Sequence, residues 1–315
     1  MVEEIKSASS PLHMENPDSA ASSGRPTARG VGIRLFWGIS LGAVIVALLA
    51  YGGWLLLAGA IVASWMALRE FFKLTKCDKP RTIFPLRRLG YIFVGALLTL
   101  TYLEPYLGAS YLELLLVFFL ISTFIYQMGR FSMEKANFLY ELAITLLGSL
   151  YIGGLLSFAL KLWNLQIFTY PELGNGFAFL PLVPLVGAWG YDTAAFFSGS
   201  FFGRIKLMPT VSPKKSVEGT IGGVLGAGTA MVIFGMASGV APGVFPYSYL
   251  FSLGVILGIL CQVGDLCMSA LKREMAAKDS SLLIPGHGGI LDKIDGMLFC
   301  FPVAYYVLSI YLEHH

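Results

Sequence analysis

Long apolar segments recur along this whole chain, and their length decides most of what it can become. An α-helix rises about 1.5 Å per residue, so about 20 apolar residues cross the hydrocarbon core of a bilayer. Nine such segments can be placed, at roughly 35–49, 51–72, 87–103, 111–127, 137–160, 177–200, 218–238, 248–271 and 290–312. In lipid, each backbone N–H and C=O must be paired inside its own segment, which makes these spans helices. The predicted fold class is all-α: a polytopic integral membrane helical bundle of about nine transmembrane helices. Only Tyr51 to Gly53 separate the first two segments, so a single kinked hairpin would read much the same. Composition agrees, with 56% hydrophobic residues, 13% charged residues and a mean hydropathy of +0.71. A soluble domain carries about twice that charged share.

The placement of cations tests the layout. With the N-terminus inside, 20 of the 22 Lys and Arg residues fall in the tail or in the loops after the second, fourth, sixth and eighth segments. Arg69 lies near the inner end of the second segment, and only Lys161 falls outside. This bias is the signature of cytoplasmic loops. Residues 1–30 are rich in Ser, Pro, Gly and charge, and they lack the apolar core of a signal peptide. They read as a disordered cytoplasmic tail. Residues 31–165 then form N-terminal transmembrane helices, and 166–315 a C-terminal transmembrane catalytic region. The four cysteines make no C-x-x-C pair and read as small buried hydrophobes, so no disulfide framework or zinc site is expected. The closing "LEHH" gives His314 and His315 no role.

Carboxylates mark where the chemistry lies. Of seven aspartates, Asp192, Asp265, Asp279, Asp292 and Asp295 all fall at or near the inner ends of the sixth, eighth and ninth segments. Asp265 sits about 10 Å up its helix from Lys272, counting 1.5 Å per residue. A carboxylate at that depth needs a cation, a water cavity or a proton. Asp265, Ser269 and Lys272 share one helix face, and Asp292 and Asp295 share another. Two such faces brought together offer oxygen ligands to a hard cation such as Mg²⁺. The competing reading is a helix-to-helix ion pair, for instance Asp265 with Lys293. Asp279 follows Lys278 in a loop and reads equally as solvated.

Basic groups flank these carboxylates. "SPKKSVEGTIGG" places Ser212, Lys214 and Lys215 before the seventh segment, and "LKREMAAK" holds Lys272, Arg273 and Lys278. Anchoring to anionic headgroups accounts for most inner cations, including the "KCDKPRTIFPLRR" loop. It does not account for two basic sets beside intramembrane carboxylates, a combination that suits a polyphosphate substrate. No G-x-x-x-x-G-K-[ST] sequence occurs, so a P-loop is excluded. His287 precedes Gly288 and Gly289 and opens the ninth segment. Glycines there admit close backbone approach, and helix-start amides favour anions; the plain alternative is a glycine turn. The G-x-x-x-G spacings at Gly219, Gly222, Gly223 and Gly226 read as close helix packing. Glu218 heads that helix as a cap or as a support of the site.

"SALKREMAAKDSSLLIPGHGGILDKID", Ser269 to Asp295, resembles the signature of phosphatidate cytidylyltransferases, also called CDP-diacylglycerol synthases. Ser269, Lys272, Arg273, Lys278, Asp279, Pro285, His287, Gly288, Gly289, Asp292 and Asp295 fall in register with it. The upstream stretch from Asp192 to Gly223 looks like the family's further blocks, and the resemblance runs from about Tyr151 to Phe301. Lys293 stands where the family usually has Arg, Ser216 where it has Thr, and Gly296 where Ser is common. The first departure keeps charge but loses a bidentate fork, which bears on affinity more than on reaction type.

The resemblance implies a nucleotidyltransferase of phospholipid biosynthesis that joins CTP and phosphatidate into CDP-diacylglycerol and pyrophosphate. It implies dependence on Mg²⁺, with a second cation as an option, and a site facing the cytoplasm. Asp265 and Asp292 would be metal ligands, with Asp295 and Asp192 as further candidates. Lys272, Arg273 and His287 would complete the catalytic set. Ser212, Lys214, Lys215, Ser269, Lys278, Gly288, Gly289 and Lys293 would bind substrate phosphates. Expected partners are CTP, phosphatidate and the lipid bilayer, with no nucleic acid and a homodimer left open. The rival readings are a CTP-dependent polyprenol or phytol kinase and a cation-coupled transporter. The full signature disfavours the first, and the absence of internal repeats disfavours the second.

Overall fold

The computed structural model describes residues 28–75, 85–131, 137–171, 173, 178–281, 283 and 288–314, with side chains in the first helix from residue 38 onward. Most of the proposed 1–30 tail, together with Pro285 and His287, therefore lies outside the described residues. The described helices are α1 (Ala28–Tyr51), α2 (Gly53–Leu74), α3 (Arg87–Leu107), α4 (Leu112–Gly129), α5 (Phe138–Gly148), α6 (Leu155–Asn164), α7 (Phe179–Phe202), α8 (Val217–Ala237), α9 (Tyr247–Glu274) and α10 (Leu291–His314). A π-helical turn, Ser149–Gly154, joins α5 to α6, and a second, Leu165–Thr169, extends α6. Together they make one rod, Phe138–Thr169. Each apolar segment of the sequence thus becomes one helical rod.

The all-α membrane bundle stands. Among the described residues, six rods are long and apolar enough to cross a bilayer: α2, α4, the α5–α6 rod, α8, α9 and α10. Two other rods, α3 and α7, fall short of that mark, and the described side chains of α1, Gly38–Tyr51, form an apolar stretch. Helix α3 carries Arg87, Arg88 and Glu104, and α7 carries Asp192 with Pro184 and several glycines. Lipid-facing side chains such as Phe118, Phe124, Phe196 and Ile233 are exposed, as they must be when the solvent is hydrocarbon.

The break between α1 and α2 comes from Gly52, whose φ of +65° is open to glycine and costly to other residues. A Cβ there would also run into the Trp163 indole, so the turn is fitted closely against the outer end of α6. The first two segments are therefore separate helices. Among the described residues the only sheet is a small antiparallel hairpin, β1 (Lys206–Met208) with β2 (Ser212–Ser216), set between α7 and α8. Sequence reading treats this stretch as a basic loop. The pairing is too short to announce itself by periodicity. Ser216 ends the hairpin and caps α8, its Oγ accepting from the Gly219 amide at 3.1 Å. The cap is thus Ser216 and not Glu218, whose carboxylate instead accepts from the Arg204 and Ile205 amides after α7.

Contacts at helix ends sort the loops by side. On one side, Lys215 before α8 reaches Asp265 in α9, and Glu70 near the end of α2 reaches the start of α10. On the other, Tyr249 near the start of α9 donates to the Val307 carbonyl late in α10, and Asn164 at the end of α6 donates to the Thr101 carbonyl late in α3. The loops that share the first side are those the cation count assigns to the cytoplasm. In a variant lacking native cysteines, a cysteine at Ser212 or Ser281 is expected to react with an impermeant maleimide only from the cytoplasmic side, and one at Ser238 only from the opposite side. Labelling of position 281 from the outer face would overturn this arrangement.

Candidate active site

The C-terminal halves of α7 and α9 and the start of α10 enclose a cavity of about 300 Å³ lined by Asp192, Asp265, Lys272, Asp292, Lys293 and Asp295. Each carboxylate arrives from a different place in the sequence, and each is held by contacts that can be named.

Asp292 sits in the first turn of α10 and is the most constrained. Its Oδ1 accepts from Lys272 Nζ at 2.7 Å. Its Oδ2 accepts from the Ser280 amide at 2.8 Å, the Ser280 hydroxyl at 2.8 Å and the Gly289 amide at 2.9 Å. The side chains of the pair are only 11% and 10% exposed, so this is a buried ion pair with a full set of donors around the anion. Lys272 also lies 3.8 Å from Asp295 Oδ2. Asp292 and Asp295 therefore share a face as their i, i+3 spacing requires, and a single lysine addresses both.

Asp265 is held differently. Its Oδ1 accepts from Ser269 Oγ one turn later, at 3.2 Å, and its Oδ2 pairs with Lys215 Nζ at 2.5 Å. The ion pair is therefore with Lys215, not with Lys293 as the simple helix-pairing alternative supposed. Position explains this: β2 leads Lys215 straight to the C-terminal half of α9, and Lys293 points into the cavity wall on α10. Lys215 also donates to Gln262 Oε1 at 3.2 Å, and the Tyr191 hydroxyl donates to the same oxygen.

A second cavity, of about 470 Å³, adjoins the first between α7 and α8. Asp192 lines both. Lys214, Lys215 and Ser216 border it, and Phe196 and Ala195 give it an apolar wall. The two helices meet through small residues: a Cβ added to Gly219 would meet the Ala195 carbonyl, and one added to Gly226 would collide with Ala194. The G-x-x-x-G spacings do serve close packing, and that packing brings Asp192 and Lys215 to one seam.

The structure thus brings together Asp192, Asp265, Lys272, Asp292, Lys293 and Asp295, with Lys215 and Ser269 on Asp265 and with Gly288 and Gly289 beside Asp292. Lys214 lies on the neighbouring cavity. Arg273 is exposed and braces the hairpin, its Nε donating to the Val211 carbonyl at 3.3 Å. Ser212 belongs to that hairpin, away from both cavities, and Lys278 and Asp279 are exposed on the loop before α10. Among the described residues, no three His, Cys, Asp or Glu side chains converge closely enough to enclose a metal by themselves. Mg²⁺ takes one or two carboxylate oxygens from protein and the rest from water and substrate phosphates; the cavity gathers four carboxylates, of which Asp265 and Asp292 are each already paired with a lysine.

Sequence reasoning missed Tyr191, Gln262, Ser280 and Glu70. The first two are uncharged and sit inside apolar segments. Ser280 precedes the glycines by several residues, and nothing local marks its hydroxyl as a partner of Asp292. Glu70 lies in α2, more than 200 positions before its contacts, where no spacing rule reaches.

A family model described as the cytidylyltransferase family matches residues 32–311. The chain is 32% identical over 280 residues to the uncharacterized protein YnbB of Escherichia coli, covering 88% of this chain and 86% of that one. It is 33% identical over 206 residues to the phosphatidate cytidylyltransferase of Bacillus subtilis, covering 65% of this chain and 70% of the relative. Against the phosphatidate cytidylyltransferase of Synechocystis it is 29% identical over 292 residues, covering 86% and 94%.

The buried pair makes a test of its own. Lys272→Met leaves Asp292 without its cation, and Asp292→Asn leaves Lys272 with only the longer contact to Asp295. Each single variant is expected to unfold at lower temperature in detergent, and the double variant to be less destabilised than the sum. The coupling expected for groups in direct contact is about 1–3 kcal/mol. Additive effects in thermal unfolding of the four proteins would show that the pair is not coupled.

Proposed function

This chain belongs to the cytidylyltransferase family, and we propose that it is a phosphatidate cytidylyltransferase, joining the cytidylyl group of CTP to the phosphate of phosphatidate and releasing pyrophosphate. The observation that carries this reading is the polar cavity of carboxylates and lysines between the C-terminal halves of α7 and α9 and the start of α10, opening beside an apolar-walled cavity between α7 and α8. A soluble triphosphate and a lipid phosphate can meet there without the acyl chains leaving the bilayer.

The reaction needs no covalent enzyme intermediate. A phosphate oxygen of phosphatidate attacks the α-phosphorus of CTP in line. The bond from that phosphorus to the bridging oxygen breaks, and its electron pair leaves with pyrophosphate. The protein's part is to position the two phosphates and to stabilise charge. In this reading Lys272 and Lys293 face the triphosphate in the smaller cavity. Lys214 and Lys215 guide the lipid phosphate at the larger one, and Asp192 stands at their junction. Carboxylates outnumber lysines among the residues lining the smaller cavity, four to two. The lysines alone therefore do not offset an incoming triphosphate, and this supports a magnesium requirement with Asp265 and Asp292 as ligands. When bound, the cation would neutralise charge on the nucleotide phosphates. The cation bias of the loops supports a site on the cytoplasmic face.

The test is purified protein with CTP labelled at the α-phosphate and phosphatidate vesicles. Label is expected in lipid, and EDTA is expected to abolish the transfer. Label from the γ-position should appear in pyrophosphate; its appearance in lipid would mean a lipid kinase instead. Asp265→Asn and Asp292→Asn are each expected to lose more than about tenfold in rate at saturating Mg²⁺, since a lost metal contact is worth several kcal/mol. Retention of the wild-type rate by either would rule it out as a ligand.

A further inference from the structure

Glu70 is a buried carboxylate that the proposed chemistry does not use. It lies near the C-terminal end of α2 and is only 4% exposed. Both of its oxygens are fully engaged, and every partner belongs to the segment that carries Asp292. Oε1 accepts from the Ser281 hydroxyl at 2.7 Å and the Ile290 amide at 3.1 Å. Oε2 accepts from the Ser280 hydroxyl at 3.0 Å and the Leu291 amide at 2.9 Å. These partners lie 210 to 221 positions away in sequence. No lysine or arginine forms an ion pair with Glu70 among the described residues, so its charge is met by hydrogen donors and by the positive end of α10.

The arrangement reaches Asp292 directly. The Ser280 hydroxyl touches both Glu70 Oε2 and Asp292 Oδ2, at 3.0 and 2.8 Å, and the Ser280 amide holds Asp292 as well. Gly289, whose amide is the third donor to Asp292 Oδ2, is packed so closely that an added Cβ would run into Ser280 Oγ and Glu70 Oε2. Glu70 therefore fixes the two chain segments, 280–281 and 289–291, whose donors set the orientation of Asp292.

We propose that Glu70 is a positioning residue for the transfer reaction: α2 carries the carboxylate that locks the start of α10 and the Ser280–Ser281 turn, and through them the Asp292 side chain. The proposal rests on the cytidylyltransferase reading for the reaction that it serves. Glu70 lines neither of the two cavities of the site and is not itself catalytic.

Chemistry singles out the informative substitution. Each carboxylate oxygen faces a backbone N–H, that of Ile290 on one side and of Leu291 on the other. In Glu70→Gln the amide must turn its NH₂ toward one of them whichever way it flips, so a same-sized residue places donor against donor. Glu70→Asp keeps both acceptors and the charge at shorter reach.

Wild type, Glu70→Gln, Glu70→Asp and Ser280→Ala are compared at equal folded protein in the membrane, by label transfer from CTP to phosphatidate and by hydrogen exchange of the 288–296 backbone. Misplacement of a reacting geometry by about 1 Å costs on the order of 100-fold, so Glu70→Gln is expected to lose roughly 10- to 100-fold in kcat. KM for CTP and phosphatidate should stay within a few-fold. Glu70→Asp should recover part of the loss, and Ser280→Ala, which leaves α2 intact, should lower kcat in the same way. Exchange at residues 290 and 291 should speed up in Glu70→Gln while α8 is unchanged. A merely structural role predicts a lower unfolding temperature with full kcat per folded molecule, and that result overturns the proposal. Unchanged exchange at 290 and 291 overturns it as well. Absence of turnover in the wild type overturns the reaction assignment and the catalytic claim with it; turnover in the wild type with an unimpaired Glu70→Gln overturns the claim for Glu70 alone.

Discussion

Everything at the cavity end of this bundle is organised around the cost of keeping carboxylates next to lipid. An ionised side chain in the hydrocarbon region is costly unless it is paired, hydrated or neutralised. The bundle meets that cost twice with lysines of its own, Lys272 against Asp292 and Lys215 against Asp265. Neither lysine comes from the helix turn that carries its partner. Each pair therefore ties separate elements together, α9 to α10 in one case and the hairpin to α9 in the other. Such pairs contribute little net stability where desolvation offsets attraction, but breaking one strands a charge. They act as constraints on arrangement more than as sources of stability.

The same constraint explains the small residues along α7 and α8. Asp192 lies in the C-terminal half of α7, whose neighbours Phe196 and Phe197 are exposed to lipid. For its carboxylate to face a polar cavity, α8 must approach closely enough to close the seam. Gly190 against Ala230, Gly223 against Tyr191 and Gly226 against Ala194 leave no room for a further methyl group. In hydrocarbon there is no hydrophobic drive for helices to associate, so close backbone packing of this kind is the main attraction available.

How much of this was legible in the sequence depends on the range of the interaction. Helix positions were legible because an apolar stretch of crossing length is a local signal, and a hydrated backbone is not an option in lipid. The faces shared by Asp265 and Ser269, and by Asp292 and Asp295, were legible because helical spacing fixes them. The Lys215–Asp265 pair was not, because it depends on how a five-residue strand delivers its lysine to α9. Tyr191 and Gln262 were hidden in apolar runs, where a single polar residue reads as ordinary. Glu70 was hidden most completely. Its context, "REFFKL", gives a charged residue near the inner end of a span, which headgroup contact would explain without any further partner.

That last case bears on why the N-terminal helices belong to the same molecule as the site. The cavity residues all come from α7 onward, so the first half could be taken for a mere membrane anchor. The contact from α2 to α10 argues otherwise. A first-turn carboxylate such as Asp292 is oriented by the amides that precede its helix, and those amides lie in a stretch with two adjacent glycines. Glycine costs the most conformational entropy to order, so such a stretch will not hold a fixed shape on its own. An external acceptor is needed, and it must be buried to compete with water. A carboxylate on a neighbouring span meets both conditions, because its helix is fixed by lipid and by the Leu68, Phe71 and Phe72 side chains packed around it. The rigid part of the fold thus supplies the order that the glycine stretch lacks, and the glycines in turn let Ser280, Glu70 and Asp292 approach its backbone closely.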